Sequence, residues 1–446
     1  MNGLPQQPDV VGAGEENLAA DPWIVRGRHL AGWAARVAKF SSLQAIVQLL
    51  MALAGLIIVR HLSKTEYALF AIANSIQVAC TQLADLGIGI GVRSIGGRVW
   101  EDRSRFGQLV QTALGLRRQF ALVAATICFP LMIWLLRRNG ATPGATLGLC
   151  LAIAASVIPL LGSTIWSATL LLHGRYQSVQ RLDLSNGVLR LAMIGGLAAS
   201  RINAVLAATT GTITYIAQAI FLRSWSRDVA DPSARTNPED RRELIRLSLK
   251  SLPNTVFFCL QGQITLLILT FTRNATGIAD LTALGRLALL FAVFSVMFAN
   301  VLTPRFARCQ DPARLRSLYL LLVGGTILTL LPVVIAAAWL PGPFLWLLGD
   351  KYSGLRAECG WVVAAGCLTQ LLAVLWGLNS SKAWISIQAV GYIPTIIAAQ
   401  VIAAVSLDLR QFHNVVLFTV ITAAAPIPVM IADTIAGLRS AKRSLD

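Results

Sequence analysis

Twelve apolar runs, each about as long as a bilayer crossing, punctuate the chain and leave it little choice of fold. Bounded by charges, glycine or proline, they fall at approximately 40–59, 67–92, 119–136, 145–172, 182–200, 203–222, 249–272, 279–303, 315–340, 357–378, 384–405 and 413–437. A helix needs about 20 residues to cross the hydrocarbon. Charged residues make up only 13% of the 446, against about 25% in an ordinary soluble domain, so a soluble globule is excluded. The expected fold is all-α: a polytopic membrane protein of about twelve transmembrane helices.

The net charge of +17 has to be located before it means anything. With the N-terminus placed inside, the segments between runs on the inner side hold 27 Lys and Arg and those on the outer side hold 9. Basic residues concentrate on the cytoplasmic side of membrane proteins, so this threefold bias supports both the helix count and the orientation, and most of the charge is topology. Residues 1–37 are polar, contain Gly and Pro, and lack the apolar core of a signal peptide; they are expected to stay cytoplasmic and partly disordered. The longest polar connection, 223–248, carries Pro232, Pro238 and mixed charge close to the midpoint of the chain. It divides the chain into an N-lobe of six helices (38–222) and a C-lobe of six (249–437), with a cytoplasmic tail at 438–446. Six is even, so both halves enter the membrane from the same side, as in a parallel repeat.

Inside hydrocarbon a polar side chain must find a protein partner or a water-filled cavity. Gln44 and Gln48 lie on one face of the first run, Asn74, Gln77, Thr81 and Asp85 on one face of the second, and Asn254, Gln261 and Thr265 on the seventh. Such stripes are either interhelical hydrogen bonds, typically worth under about 1 kcal/mol each, or the lining of a shared wet cavity. Three ionisable positions carry more weight, because a charge near the bilayer centre costs at least about 2.5–3.5 kcal/mol. Arg190 stands midway along the fifth run with Asp183 two turns earlier as a possible structural partner. Arg286 stands in the eighth run with no acid at three or four residues' distance. Asp85 is either a partner for Arg93 or a proton or sodium coupling site. Together with Arg36, Lys39 and Arg93 at the cytoplasmic ends, these arginines can line an electropositive funnel; the planar guanidinium matches phosphate oxygens two at a time.

Other chemistries leave no trace. The seven cysteines lie mostly in apolar runs without CxxC spacing, and the four histidines never stand two at helical spacing, so no metal site is expected. Gly87-Ile-Gly-Ile-Gly91 lacks the spacing of a dinucleotide fingerprint, and no GxxxxGK[ST] phosphate loop occurs. No cofactor and no nucleic-acid partner are expected. The glycine run and the prolines within helices are expected to create close contacts or kinks.

His61-Leu-Ser-Lys-Thr-Glu-Tyr67-Ala-Leu-Phe70, leading into Leu83-Ala-Asp85-Leu-Gly87, resembles the corresponding stretch of bacterial oligosaccharide flippases. These are polysaccharide transporters of the superfamily that also holds multidrug and lipid II exporters. Leu172-His-Gly174-Arg175-Tyr176, Pro304-Arg-Phe306-Ala-Arg308 and Phe344-Leu-Trp-Leu-Leu-Gly349-Asp-Lys-Tyr352 extend the resemblance over nearly the whole chain. It implies two six-helix lobes around a central cavity lined mainly by the first, second, seventh and eighth helices, with alternating access by rocking of the lobes. The implied cargo is a polyprenyl-pyrophosphate-linked oligosaccharide flipped across the bacterial cytoplasmic membrane for exopolysaccharide, capsule or O-antigen synthesis. Partners would be the polymerase and chain-length proteins of that pathway.

In this frame Arg93, Arg190 and Arg286 bind pyrophosphate, and Gln44, Gln48, Asn74, Gln77 and Gln261 bind sugar hydroxyls; no covalent chemistry is needed. One alternative is a proton- or sodium-coupled exporter of small organic cations, which predicts an acid-lined cavity. Another is a membrane-embedded polysaccharide polymerase or acyltransferase, which commonly needs a large outer loop or a buried His or Asp pair. A lipid II flippase would differ in cargo alone. For the topology, a reporter fused within 223–248 or after residue 438 is expected to read as cytoplasmic, and one fused within 341–356 as external. The opposite pattern would reverse the orientation.

Overall fold

The computed structural model describes residues 22–200, 202–272, 275–288, 311–382 and 384–443 and a few positions between 298 and 306; the side chains of residues 22–41, Arg36 and Lys39 among them, lie outside that description. The described residues are helical almost throughout, with no strand among them. The helices are α1 (Pro22–His61), α2 (Lys64–Asp85), α3 (Ile88–Val99), α4 (Arg103–Arg138), α5 (Pro143–Leu172), α6 (Tyr176–Ala198), α7 (Ala204–Ser226), α8 (Pro238–Phe271) and α9 (Ala275–Ala288). They continue with α10 (Pro312–Trp339), α11 (Pro341–Leu348), α12 (Arg356–Ser381), α13 (Gln388–Ser406), α14 (Phe412–Ala424) and α15 (Ile427–Arg443). Side-chain caps start many of them where the sequence changes from polar to apolar. Ser63 accepts from the Glu66 amide, and Thr142 and Asn237 each precede a proline at the first helical position.

By length and composition, ten helical stretches among the described residues are long and apolar enough to cross a membrane. Of the twelve expected, α6 is diluted by Arg181, Asp183 and Arg190, and the run 279–303 continues past the described end of α9. Leu122, Leu328 and Val405 are 69%, 75% and 83% exposed, an outward apolar surface of the kind that lipid tails cover.

Several helix boundaries differ from the expected ones. α1 starts at Pro22, α4 at Arg103 and α8 at Pro238, each well before its apolar run; in α4 and α8 the added turns are amphipathic, burying Phe106, Leu109 and Leu244. The expected single helix over 67–92 is two: Leu86 (φ 38°) and Gly87 (φ 81°) are both left-handed, which ends α2 and starts α3 in a new direction. The glycine run serves close approach, as expected. A Cβ on Gly87 would lie 2.8 Å from Ser251 Oγ, and one on Gly91 would lie 2.5 Å from Leu244 Cδ2, both on α8.

The helices pack in two groups. In the first, α5 lies along α7, α2 along α4 and α1 along α6; in the second, α12 packs on α10 and α14, and α13 on α14 and α15. The groups meet where α2 packs on α8 and α9 and where α3 and α4 pack on α8. Midway along this seam Ser75 Oγ donates to Gln263 Oε1 at 2.9 Å. Arginine-rich connections mark one end of the bundle, called the basic end below.

At the far end, the α1–α2 turn grips the second group. Lys64 pairs with Asp280 at 2.8 Å, Lys351 Nζ donates to the main-chain oxygens of Arg60 (3.2 Å) and Leu62, and Arg60 lies 5.1 Å over the Trp346 ring. Burial, and then the nearby Lys64 ammonium, lower the pKa of Lys351. At the basic end Arg105 makes a two-point contact with Asp240, 2.5 and 2.7 Å, and Arg98 pairs with Glu243 at 2.7 Å. Only the first weighs much, because the Asp240 side chain is 3% exposed whereas that of Glu243 is 45% exposed, and exposed pairs contribute about 0–1 kcal/mol.

The connection between the groups is held down on α4: the Asp231 amide donates to Arg103 O at 3.2 Å, and Gln111 Nε2 donates to Pro232 O at 3.1 Å. A Cβ on Gly107 would meet the Asp231 main chain at 2.6–2.8 Å. Gly107→Ala is therefore expected to cost about 1–3 kcal/mol through overpacking. Its measure is a lower unfolding temperature together with faster proteolysis of the connection; an unchanged protein would show that the connection is not packed there.

Candidate functional site

Two cavities take up most of the residues singled out above. The deeper one, about 310 Å³, runs along α1 past Gln44, Gln48 and Gly55, and is closed by Asp183, Asn186 and Arg190 of α6, Tyr215 and Gln218 of α7, and Arg286 of α9. It is the meeting place of the two groups' intramembrane arginines. Arg286 Nε donates to Tyr67 Oη at 3.2 Å, and its guanidinium presses on α1 so closely that a Cβ at Gly55 would lie 3.0 Å from Nη1. Arg190 has a buried Nε without a hydrogen-bond partner. Asp183, the partner weighed for Arg190 from the sequence, instead accepts from Gln218 Nε2 at 2.9 Å. Among the described residues neither Arg190 nor Arg286 forms an ion pair.

The second cavity, about 840 Å³, opens at the basic end between the groups. Asp85, Arg93, Arg117 and Thr164 line one side, and Lys250, Ser251 and Asn254 of α8 the other. Three cations thus face one carboxylate. Arg93 is exposed there, but it is not the partner of Asp85. That partner is Arg117 of α4, whose guanidinium bonds Asp85 and Thr164 Oγ1 and donates to Leu161 O at 2.6 Å. Counted from the sequence as a cytoplasmic flank, Arg117 has a side chain only 4% exposed, because α4 carries it into the bundle two residues before its apolar run begins. A third cavity, about 590 Å³, shares Lys250, Asn254 and Phe258 with the second and continues between Leu372, Trp376, Tyr392 and Ile393. A charged vestibule therefore adjoins a largely apolar, aromatic pocket.

The structure thus brings Gln44, Gln48, Arg190 and Arg286 together, and places Asp85 and Arg93 in the neighbouring cavity. Three expected sugar contacts lie elsewhere. Gln77 is buried inside the first group and donates to Ser156 Oγ at 2.5 Å, and neither Asn74 nor Gln261 lines any of these three cavities. Gln263, two residues on from Gln261, is the one that faces α2. Tyr67, known from the sequence only as part of the His61–Phe70 motif, joins the site with Tyr215, Gln218 and Lys250, none of which the charge and amide patterns mark. Gln218 carried a usable signal, the one Gln within the run 203–222.

The sequence matches no protein-family model and no curated protein. Solved structures share the fold. An inward-facing conformation of a multidrug resistance MATE family transporter of the MOP superfamily aligns with a TM-score of 0.67 at 18% identity, over 89% of this chain and 96% of its own. An outward-facing conformation of a transporter of the same description aligns at 0.58 and 16%, over 91% and 96%. A MOP superfamily transporter from Pyrococcus furiosus, described by a reverse polarity of its binding pocket that suggests a different function, aligns at 0.55 and 16%, over 91% and 95%. The chain has the fold of the MATE transporters.

The Asp85–Arg117 pair gives an asymmetric prediction. Asp85→Asn leaves a nearly fully buried guanidinium unpaired, at about 3–5 kcal/mol. Arg117→Gln leaves a carboxylate whose side chain is 36% exposed, at about 1–3 kcal/mol. Unfolding of the two purified variants in detergent measures this, and an equal loss in both would contradict the burial argument.

Proposed function

We propose that this chain is a transporter of the MOP type that carries an anionic, lipid-linked sugar-phosphate, of the polyprenyl-pyrophosphate-oligosaccharide class, across the bacterial cytoplasmic membrane by alternating access. One observation carries the reading: Arg190 and Arg286, contributed by different helix groups, face one cavity without a carboxylate partner among the described residues. An unneutralised guanidinium at that depth is costly, and a pyrophosphate offers the compensating charge and paired oxygens.

The obstacle to flipping is the head group, whose polar atoms would each lose several kcal/mol of hydration in hydrocarbon (about 2–7 kcal/mol unpaired). In this reading the basic-end cavity, with Arg93 and Lys250, receives the pyrophosphate from the cytoplasmic side. Gln44 and Gln48 meet sugar hydroxyls beside Arg190 and Arg286. The adjoining pocket between Phe258, Trp376 and Tyr392 accommodates the start of the prenyl chain, whose remainder stays in lipid. Outward opening then separates Lys64 from Asp280 and Lys351 from the α1–α2 turn while the basic end closes. The higher TM-score of the inward-facing neighbour, 0.67 against 0.58, agrees with a closed far end.

A second reading, a cation-coupled exporter of small organic cations, is favoured by Asp183 in the deeper cavity and by neighbours described as multidrug transporters. The two readings separate by variant. In a strain lacking the gene, lipid-linked repeat units are expected to accumulate on the inner leaflet. Arg190→Gln or Arg286→Gln should reduce restored export by about tenfold or more, the worth of one charge-assisted contact of about 1.5–3 kcal/mol, with normal membrane abundance. Export that survives both arginine changes, alongside drug efflux abolished by Asp183→Asn, would make the chain a cation exporter instead.

A further inference from the structure

A third polar site stands apart from the transport path, and it does not depend on what is transported. At the basic end of the first helix group, a cleft of about 210 Å³ lies between α4, the end of α7 and the connection that follows it. Arg118 of α4 and Arg223 and Arg227 at the end of α7 line it, with Trp166 of α5. All three arginines are exposed, and none forms an ion pair among the described residues. The one carboxylate on the cleft, Asp231, is occupied by the Ser233 hydroxyl (2.7 Å) and amide (2.9 Å). Those hydrogen bonds lower its pKa, so it stays ionised and offsets one of the three positive charges.

The cleft has a firm frame. Arg103 donates to Arg227 O at 2.7 Å, which fixes the end of α7, and Gln111 Nε2 donates to Pro232 O at 3.1 Å, which fixes the connection. Immediately deeper, the surface changes character: Leu122, one helical turn beyond Arg118, is 69% exposed, and Ile220 and Phe221, just before Arg223, are 62% and 50% exposed. Guanidinium groups, a tryptophan beside them and exposed apolar side chains farther along each of the two helices follow the profile of a phospholipid from phosphate to acyl chain. A free phosphate or a soluble anion has no use for those apolar side chains.

We propose that this cleft binds the phosphodiester of an anionic membrane phospholipid, held by Arg118, Arg223 and Arg227, with its acyl chains along Leu122, Ile220 and Phe221. Occupancy would fasten the middle of α4 to the end of α7 and set their depth in the leaflet.

The test uses the purified full-length protein and native mass spectrometry, with equal amounts of phosphatidylglycerol and phosphatidylcholine. A basic side chain near an anionic surface is worth roughly fivefold in binding, so the wild type is expected to retain phosphatidylglycerol over phosphatidylcholine by about tenfold or more. R118Q/R223Q/R227Q should bring the preference to about twofold or below, whereas R241Q/R316Q/R439Q, the same charge loss at exposed positions elsewhere, should leave it unchanged. R118K/R223K/R227K should restore most of it. Undiminished preference in the glutamine triple variant would overturn the proposal, as would an equal loss in the lysine variant, which would mean disturbed folding rather than lost charge. Displacement of the lipid by inorganic phosphate would also overturn it, assigning the cleft to a soluble anion.

Discussion

Hydrocarbon cannot solvate a polar group, and the interior of this protein is organised by that refusal. The intramembrane amides and charges described above have one of two fates. Gln77 is bonded to Ser156, Ser75 to Gln263 and Asp85 to Arg117, each finding its partner in the protein. Arg190 and Arg286 are not closed in this way; they reach a cavity where water or a ligand has to complete them. The same side-chain chemistry therefore supports a structural role at Arg117 and a binding role at Arg190, and geometry alone separates the two.

The α1–α2 turn shows how much a short segment can hold. Within five residues, Ser63 caps α2, Lys64 pairs with Asp280 on α9, Glu66 accepts from the Ala204 amide at 2.6 Å and so caps α7, and Tyr67 accepts from Arg286. The motif that carried the family resemblance is thus the junction of three helices with the turn itself. Its residues are fixed by several packing demands at once, so the pattern marks the fold more directly than it marks a cargo.

The fold was legible because its signal is long and redundant: each apolar run is about as long as a membrane crossing, and the basic asymmetry holds over the connections taken together. Boundaries were less legible, since the amphipathic turns that start α4 and α8 carry no continuous apolar run. That is how Arg117 came to be read as a flank rather than as the buried partner of Asp85. Of the candidate site, the residues that stood out by charge and depth converge, Arg190 and Arg286 above all. The amide stripes separated poorly, because the period of a helix places Gln44 and Gln77 on one face of their helices alike without saying whether that face meets a neighbour or a void. Only the packing of α5 against α2 turns Gln77 inward to Ser156.

The far-end contacts of Lys351 end on the main-chain oxygens of Arg60 and Leu62 rather than on side chains. Acceptors of that kind exist whatever residues evolution installs at those two positions, so the fastening withstands mutational drift on one partner and is vulnerable on the other. Insertions or deletions in the turn, which would move those oxygens out of register, are the changes this junction is least able to absorb.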